Sequence, residues 1–428
     1  MVDQTTFRVM EEIVEEVHGN LNETAKRSHE EAVEFYDKLG APFGNIRLIG
    51  GRNPEIMESS SEDLATWNGD NLNSAYGIDA SVTQERKFTN GLKVAISNAK
   101  AGVVGDGIHS FTDKSHIVAV IYDKYDNTSL TSKTVKNQDD IIAELNVLTE
   151  EDPRESKRMV QNIARTKSEG EHLKRLIQSS ISSVVFLDGP IYPPLILDEV
   201  VRRDFIGEED AWNDVLGNIL STYVESITTA MDSNWPIIGV VKTMDSRSLI
   251  KDLELKLQEL YSDGDFPTTP PWEKDIHFLT DLLYSENIGT YTYTSWFEEK
   301  KRFSNSTNKD GSHYVKPLKN CPEVKYSLES YNRAFFFVRI PSTDTVARVE
   351  VPSGFVQDSK SQEFVQKRAL AEIAKMGDTA EPILQADKNA KIGRKNQKKL
   401  FSKLYGKLSE PRDYNSDYRG PEYTGENN

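Results

Sequence analysis

The stretch that most constrains this chain is Ser183-Val-Val-Phe-Leu-Asp188-Gly-Pro. Its apolar residues run without alternation, so both faces of the segment must be covered. That is how a central strand of a sheet flanked by helices reads. Pro236-Ile-Ile-Gly-Val-Val-Lys242 has the same character. A helical pattern from about Glu208 to Met231 lies between the two, which makes a β-α-β unit and a parallel strand pair.

Upstream, Tyr76 to Thr83, Gly91 to Ala99 and His116 to Asp123 are short apolar or alternating runs separated by turn residues, and three strands are expected there. Residues 137 to 148 read as helix. A clearer helix runs from about Ser156 to Ser180, with Met159, Ile163, Gly170, Leu173 and Ile177 on one face. Ser246 to Tyr261 is expected to be helical, and Asn287 to Phe297 extended. Ala334 to Ile340 and Val346 to Val351 read as a hairpin, followed by helices over about 359 to 377 and 382 to 407. An opening meander followed by β-α-β units predicts an α/β fold, a mixed sheet with helices on both faces.

The ends have a different character. Residues 5 to 39 carry Phe7, Met10, Ile13, Val14, Val17 and Leu21, then Ala32, Phe35 and Leu39, at helical spacing. Gly40, Pro42 and Gly44 stop that helix. A polar Ser/Asn-rich connector is expected over about Asn53 to Asn73, residues 303 to 324 form a polar loop, and Ser409 to Asn428 has the composition of a disordered tail. The expected organisation is an N-terminal helical extension and connector (1–60) and one main domain (70–407). The core of that domain is about 75–260, its C-terminal part about 261–407, and a tail (408–428) follows.

Several function classes are disfavoured. No stretch approaches the roughly 20 apolar residues of a membrane helix. Met1 to Glu16 is acidic, unlike a secretory leader. The lone Cys321 supports neither an internal disulfide nor a cysteine-rich zinc site. A soluble cytoplasmic protein without membrane contact is expected. There is no phosphate-binding Gly-x-x-x-x-Gly-Lys loop, no nucleophile elbow and no His-Glu-x-x-His pair. The seven histidines are scattered without ligand spacing.

A net charge of −16 argues against a uniformly basic surface for nucleic acid. The charge is uneven, however. Lys388, Lys391, Arg394, Lys395, Lys398, Lys399, Lys403 and Lys407 follow one another with no acid among them. Such a run is either a solvated helix face or a phosphate-contacting surface. Lys391, Arg394, Lys395, Lys398 and Lys399 are the candidate DNA contacts.

The chemistry points to acids at strand ends. Asp79 sits within Tyr76-Gly-Ile-Asp-Ala-Ser81, and Asp188 closes the most apolar strand. A buried carboxylate is costly unless a cation neutralises it. One such acid is better read as a turn or helix cap. Two on separate core strands, with an acid on the intervening helix, favour a divalent-metal site. That helix offers Glu169 and Glu171, which point about 200° apart, and periodicity does not choose between them. Oxygen donors suit Mg2+ or Mn2+. Two ions about 4 Å apart can support in-line displacement at phosphorus. First strand, helix after the third strand, fourth strand and final helix is the order in which a ribonuclease-H-like fold presents its acids, and Asp387 on the final helix is the fourth candidate.

At these residues the chain resembles the NurA nuclease family. The likeness rests on Gly77-Ile-Asp-Ala-Ser81, Leu187-Asp-Gly-Pro190, Ile238-Gly-Val-Val-Lys242, Val338-Arg-Ile-Pro341, Ala347-Arg-Val-Glu-Val-Pro352 and Ala386-Asp-Lys-Asn-Ala-Lys-Ile392. The resemblance implies manganese-dependent DNA cleavage, with 5′-to-3′ exonuclease and single-strand endonuclease activity. It also implies a homodimer docked on a hexameric HerA-type ATPase in end resection for recombinational repair. It makes Asp79 and Asp188 metal ligands, favours Glu171 by its spacing of 17 positions before Asp188, and brings Lys242 to the scissile phosphate. Where many members carry Tyr-Pro and a histidine eight residues after the tyrosine, this chain has Thr379, Ala380 and Asp387. An aspartate can ligate manganese in the place of imidazole. The competing reading is a catalytically silent scaffold that binds a partner ATPase or DNA. Convergence of the acids within about 5 Å would favour metal binding, and Glu171 turned away would favour the scaffold. A nuclease acting on RNA is a third reading, with no feature that identifies a 2′-hydroxyl contact.

Overall fold

The computed structural model describes residues 28–405 together with residues 7, 8 and 10. Within that range residues 52, 68–73, 89–90, 107–108, 124–128, 150–158, 180–182, 198–210, 245, 262–265, 288 and 300–323 are outside the description. The chain forms two compact units. One comprises Asn71–Ile237, Thr307–Ser327 and Glu381–Asn428; the other comprises Met1–Asp70, Ile238–Ser306 and Leu328–Ala380.

The first unit is a mixed α/β layer structure built on the expected meander. Strand Ser74–Val82 pairs antiparallel with Leu92–Gly105, which pairs antiparallel with Ser115–Asp123. On the other side of Ser74–Val82 lies Val184–Asp188, in parallel. The order across these four is therefore Ser115–Asp123, Leu92–Gly105, Ser74–Val82, Val184–Asp188. The four apolar residues Val184 to Leu187 are wholly buried, as their uninterrupted run requires. Helix Met159–Gln178 supplies the crossover, and helix Ala211–Asp232 packs beside it.

Residues 137–148 are not helical. Lys133–Asn137 and Ile141–Leu148 are strands, the second running parallel to Ser115–Asp123 over eight residue pairs. Ile141, Ile142, Ala143, Leu145 and Val147 satisfy a helical and an extended pattern equally well. The free edge of Ser115–Asp123 decides the matter, because its unpaired backbone groups need a partner.

Helices cover both faces of this sheet. Ser168 on Met159–Gln178 shares a hydrogen bond of 2.7 Å with Ser97. Helix Glu381–Ala390 lies over Gly77 and Gly102, which face each other in register. Strand alternation puts positions 97 and 102 on opposite faces, so the two helices sandwich the sheet. The second contact is unusually close. A Cβ on Gly77 or on Gly102 would sit 2.2 Å from the carbonyl oxygen of Pro382. The helix continues to anchor on this face, with Asn98 donating to the Ala390 carbonyl at 3.1 Å. Asn389 donates to that of Ala101 at 2.9 Å, and the Ile392 amide donates to Ser81 Oγ at 3.2 Å. The single helix expected over 382–407 is two, Glu381–Ala390 and Arg394–Tyr405, interrupted around Gly393.

The second unit is an antiparallel sheet with helices. Ile46–Leu48, Phe297–Glu299, Arg333–Ile340, Thr345–Pro352 and Ile237–Val241 follow in that order, and the predicted hairpin pairs Arg333 with Pro352 through Ile340 with Thr345. The described part of the polar connector expected over 53–73 is structured here. Ile56–Ser60 is a strand paired with Thr290–Thr294, and Ser61–Ala65 is a short helix capped by Ser60. An edge strand shares one ladder and needs little apolar surface, so its composition did not announce it. Helix Asp275–Leu282 was also unexpected, being too short for a clear period; it buries Phe278, Leu279 and Leu282.

Residues 28–38 are helical and bury Ala32, Phe35 and Leu39, the predicted apolar face. The segment that follows is held by an interior ion pair. Lys256, fully buried, donates to the carbonyls of Leu39 and Ile46 at 2.6 Å each, with Asp252 3.6 Å away. Asp252 in turn accepts from the amides of Asn45 and Ile46. Most of the remaining expected N-terminal helix, the 303–324 loop and the 409–428 tail lie outside the described residues.

Gly102→Ala should destabilise the protein by about 2 kcal/mol or more, because backbone atoms of the helix cannot yield to the new methyl. Urea unfolding of wild type and variant measures this; an unchanged midpoint would mean that the helix sits further from the sheet.

Candidate metal centre

Asp79 and Asp188 are brought side by side by strand register. Ile78 pairs with Leu187 in the parallel ladder, and the next residue of each strand is the acid. Asp188 is the last residue of its strand, and the chain turns at once through Gly189, whose φ of 134° only glycine adopts readily. The Asp-Gly step thus leaves the carboxylate at the strand tip. Asp79 lies deeper and is 5 % exposed.

The third acid is Glu169. It is buried on the Met159–Gln178 helix, where the Tyr223 hydroxyl stands 3.4 Å from its Oε1. Arg165, one turn earlier, lies 3.9 Å from Glu169 and 3.6 Å from Asp79. Gly170 makes this possible: a Cβ there would meet the Tyr223 ring at 2.7 Å, so only glycine lets the two helices close around Glu169.

The electrostatics bind these residues into one cluster. Burial raises the Asp79 carboxyl above the ordinary carboxylate range, and the charge of Asp188 raises it further. Arg165 opposes that rise, and Asp387 adds a smaller push upward. Burial likewise pushes Glu169 up to about 7, with Arg165 opposing and Asp79 and Asp188 adding to the rise. Glu169 and Asp79 in turn raise the Arg165 guanidinium. Three acids thus share one arginine. Among the described residues no group of three acidic, cysteine or histidine side chains is gathered tightly enough to hold an ion as it stands. Like charges in a poorly solvated site stand apart.

Residues 73–392 of the chain match the family model described as the NurA domain. The chain belongs to the NurA family. Three solved NurA structures are similar to it. The NurA nuclease from Sulfolobus solfataricus aligns with TM-score 0.46 and 14 % identity over 95 % of this chain and 99 % of its own. A NurA with manganese aligns with TM-score 0.43 and 9 % identity over 79 % and 90 %. A NurA bound to dAMP and manganese aligns with TM-score 0.42 and 11 % identity over 96 % and 98 %. No curated protein matches the chain.

Against the NurA pattern, the other expected site residues fall in different places. Glu171, favoured by spacing, turns the other way, and its Oε1 accepts from Thr222 at 3.1 Å on the neighbouring helix. The helix acid that couples to Asp79 and Asp188 is Glu169. The two acids lie on different flanks, and Glu169 shares its flank with Arg165, which reaches Asp79 on the strand. Asp387 is exposed on Glu381–Ala390, close enough to Asp79 to act on its charge. Lys242 is exposed just beyond Ile237–Val241, in the other compact unit. Lys391, Arg394, Lys395, Lys398 and Lys399 are all exposed. The helix that carries four of them is anchored by Phe401, buried under the Arg86 guanidinium at 5.1 Å. Arg165 and Tyr223 were missed; the signal for Arg165 was its spacing of four from Glu169.

Because the fold holds Glu169 protonated up to about pH 7, its ionisation costs stability as pH rises from the unfolded value through 7. In metal-free protein, Glu169→Gln should therefore be more stable than wild type at pH 8, by about 1–3 kcal/mol, and nearly equal to it at pH 5. Denaturant unfolding in EDTA at both pH values reads the difference, and equal stabilities at pH 8 would contradict the placement of Glu169.

Proposed function

We propose that this chain is a divalent-metal-dependent deoxyribonuclease with a ribonuclease-H-like core. The observation that carries the reading is the juxtaposition of Asp79 and Asp188 on neighbouring parallel strands with buried Glu169, the Arg165 guanidinium lying between Asp79 and Glu169. The antiparallel meander of Ser74–Val82, Leu92–Gly105 and Ser115–Asp123, with Val184–Asp188 parallel to its first strand, supports the fold assignment.

The donor set fits the group that the family implies. Carboxylate oxygens are hard donors suited to Mn2+ or Mg2+, and three anions crowded into one buried site are what a multiply charged cation neutralises. Asp79, Asp188 and Glu169 would hold it, with Asp387 as the fourth ligand from the final helix. When two such ions are bound they supply Lewis-acid activation of water and stabilisation of the leaving oxygen in an in-line displacement. The chain's own residues do the rest. Adjacent register positions of the two strands fix the two aspartates, while Tyr223 holds the Glu169 carboxyl. Lys242 serves the scissile phosphate, and the helix Arg394–Tyr405 with Lys391 presents a basic face to the DNA strand.

The finer reading is that of the family resemblance: 5′-to-3′ exonuclease and single-strand endonuclease action in the cytoplasm, by a homodimer working with a HerA-type hexameric ATPase in the resection of broken DNA ends. Among the described residues no helix is long and apolar enough to cross a membrane.

End-labelled single- and double-stranded DNA, incubated with Mn2+, Mg2+ or EDTA, tests the reading, with a HerA-type ATPase added in a second series. Wild type should cleave with metal only. Asp188→Ala and Glu169→Ala should each lose about 100-fold or more, while Glu171→Ala should stay within a few-fold of wild type. If wild type stays silent with and without the ATPase, the scaffold reading replaces this one; equal loss in Glu171→Ala would restore Glu171 as the ligand.

A further inference from the structure

Asp79 and Glu169 of the acidic cluster have the Arg165 guanidinium within ion-pair range, and its geometry is not that of a structural bridge. Arg165 approaches Asp79 at 3.6 Å and Glu169 at 3.9 Å, beyond hydrogen-bonding distance in both cases. A built-in arginine looks different in this same chain. Arg333 meets Glu299 at 2.6 Å and Glu350 at 3.1 Å, and its side chain is 9 % exposed. Arg165 is 41 % exposed, while the side chains of its partners, Asp79 and Glu169, are 7 % and 9 % exposed. The acids are fixed and buried, and the cation sits at the mouth on a long flexible stem. It can withdraw into water without leaving a cavity.

Lys100, which faces Asp79 across the ladder, turns its amine to the carbonyls of Thr112 and Asp113. The guanidinium also stems from the helix that carries Glu169, one turn away, so it stays near the site in any rotamer.

We propose that Arg165 is an exchangeable counter-cation of the metal centre: it stands as the positive charge beside Asp79 and Glu169 in the metal-free chain and yields to the incoming divalent ion, thereby setting the affinity of the site for metal. This rests on the nuclease reading above. It makes Arg165 a positioning residue whose removal strengthens metal binding, the reverse of what loss of a structural support would do. Displacement of one unit charge beside a divalent ion in a partly solvated site costs on the order of 1 kcal/mol, a factor of about 5 in affinity.

The test uses the full chain, with Mn2+ titrated by electron paramagnetic resonance and thermal unfolding followed in EDTA and in saturating Mn2+. Arg165→Ala should bind Mn2+ about 5-fold tighter than wild type. It should also melt several degrees lower in EDTA, with the deficit removed by Mn2+. Arg165→Lys should lie close to wild type in both readings. Arg165→Gln, which keeps most of the stem, carries the same expectation if the alanine variant fails to fold. Unchanged or weaker Mn2+ binding in a folded Arg165→Ala or Arg165→Gln overturns the counter-cation while leaving the nuclease reading intact. Absence of Mn2+ binding by wild type overturns both.

Discussion

The repulsion among Asp79, Asp188 and Glu169 is the constraint around which the first unit is arranged. Nothing in the interior of a sheet favours two aspartates in adjacent register positions, and a buried glutamate beside them makes matters worse. The structure accepts this cost in a confined region. The strand ends at Asp188, the chain escapes through Gly189, and Tyr223 and Arg165 are the only groups recorded in direct hydrogen-bond or ion-pair contact with Glu169 among the described residues. The strand beneath the site is apolar from Val184 to Leu187, and Ile163, Ala164 and Leu173 are buried on the helix. The sheet supplies the stability, and the strand tips carry the strain.

Charge is handled differently in the second unit. Lys256 and Asp252 are both buried and saturated with backbone partners, and Arg333 is clasped by two glutamates. These pairs are closed. Each removes a charge from water and satisfies it locally, which fixes geometry and leaves nothing to titrate or exchange. The acidic cluster is open by comparison, with more anions than cations and a cation that stands at the surface. That contrast separates a site that holds the fold from one that receives something.

Much of the sheet was legible because its signals were redundant. Val184–Asp188 announces itself by an unbroken apolar run, and Ser74–Val82 by a small-residue strand bearing one acid. The placement of Asp79 beside Asp188 follows from those two strands alone. What failed had a physical reason in each case. Residues 141–148 carry a pattern compatible with either period, and an unpaired neighbouring edge settled it. The Ile56–Ser60 strand draws its stability from its partner's backbone, to which composition is blind. The choice between Glu169 and Glu171 depends on which flank of a helix meets the sheet. The resemblance favoured Glu171, while the acid that shares Arg165 with Asp79 is Glu169, a link that the Arg165–Glu169 spacing of four carried. The role of Gly77 was visible as a small residue but not as a requirement, since the Pro382 carbonyl that demands it lies about 300 positions away.

That glycine pair has a consequence for how this centre can vary. The helix Glu381–Ala390 meets the sheet through its own main chain: Gly77 and Gly102 press against the Pro382 carbonyl, and Asn98 grips the Ala390 carbonyl. Its docking is thus set largely by the bare surface of the strands and weakly by what its outward positions carry. A side chain such as that of Asp387 can be exchanged like a tool in a fixed holder, without disturbing the holder. The side chain at position 387 can change without moving the helix so long as two hydrogens, at positions 77 and 102, are not replaced by anything larger.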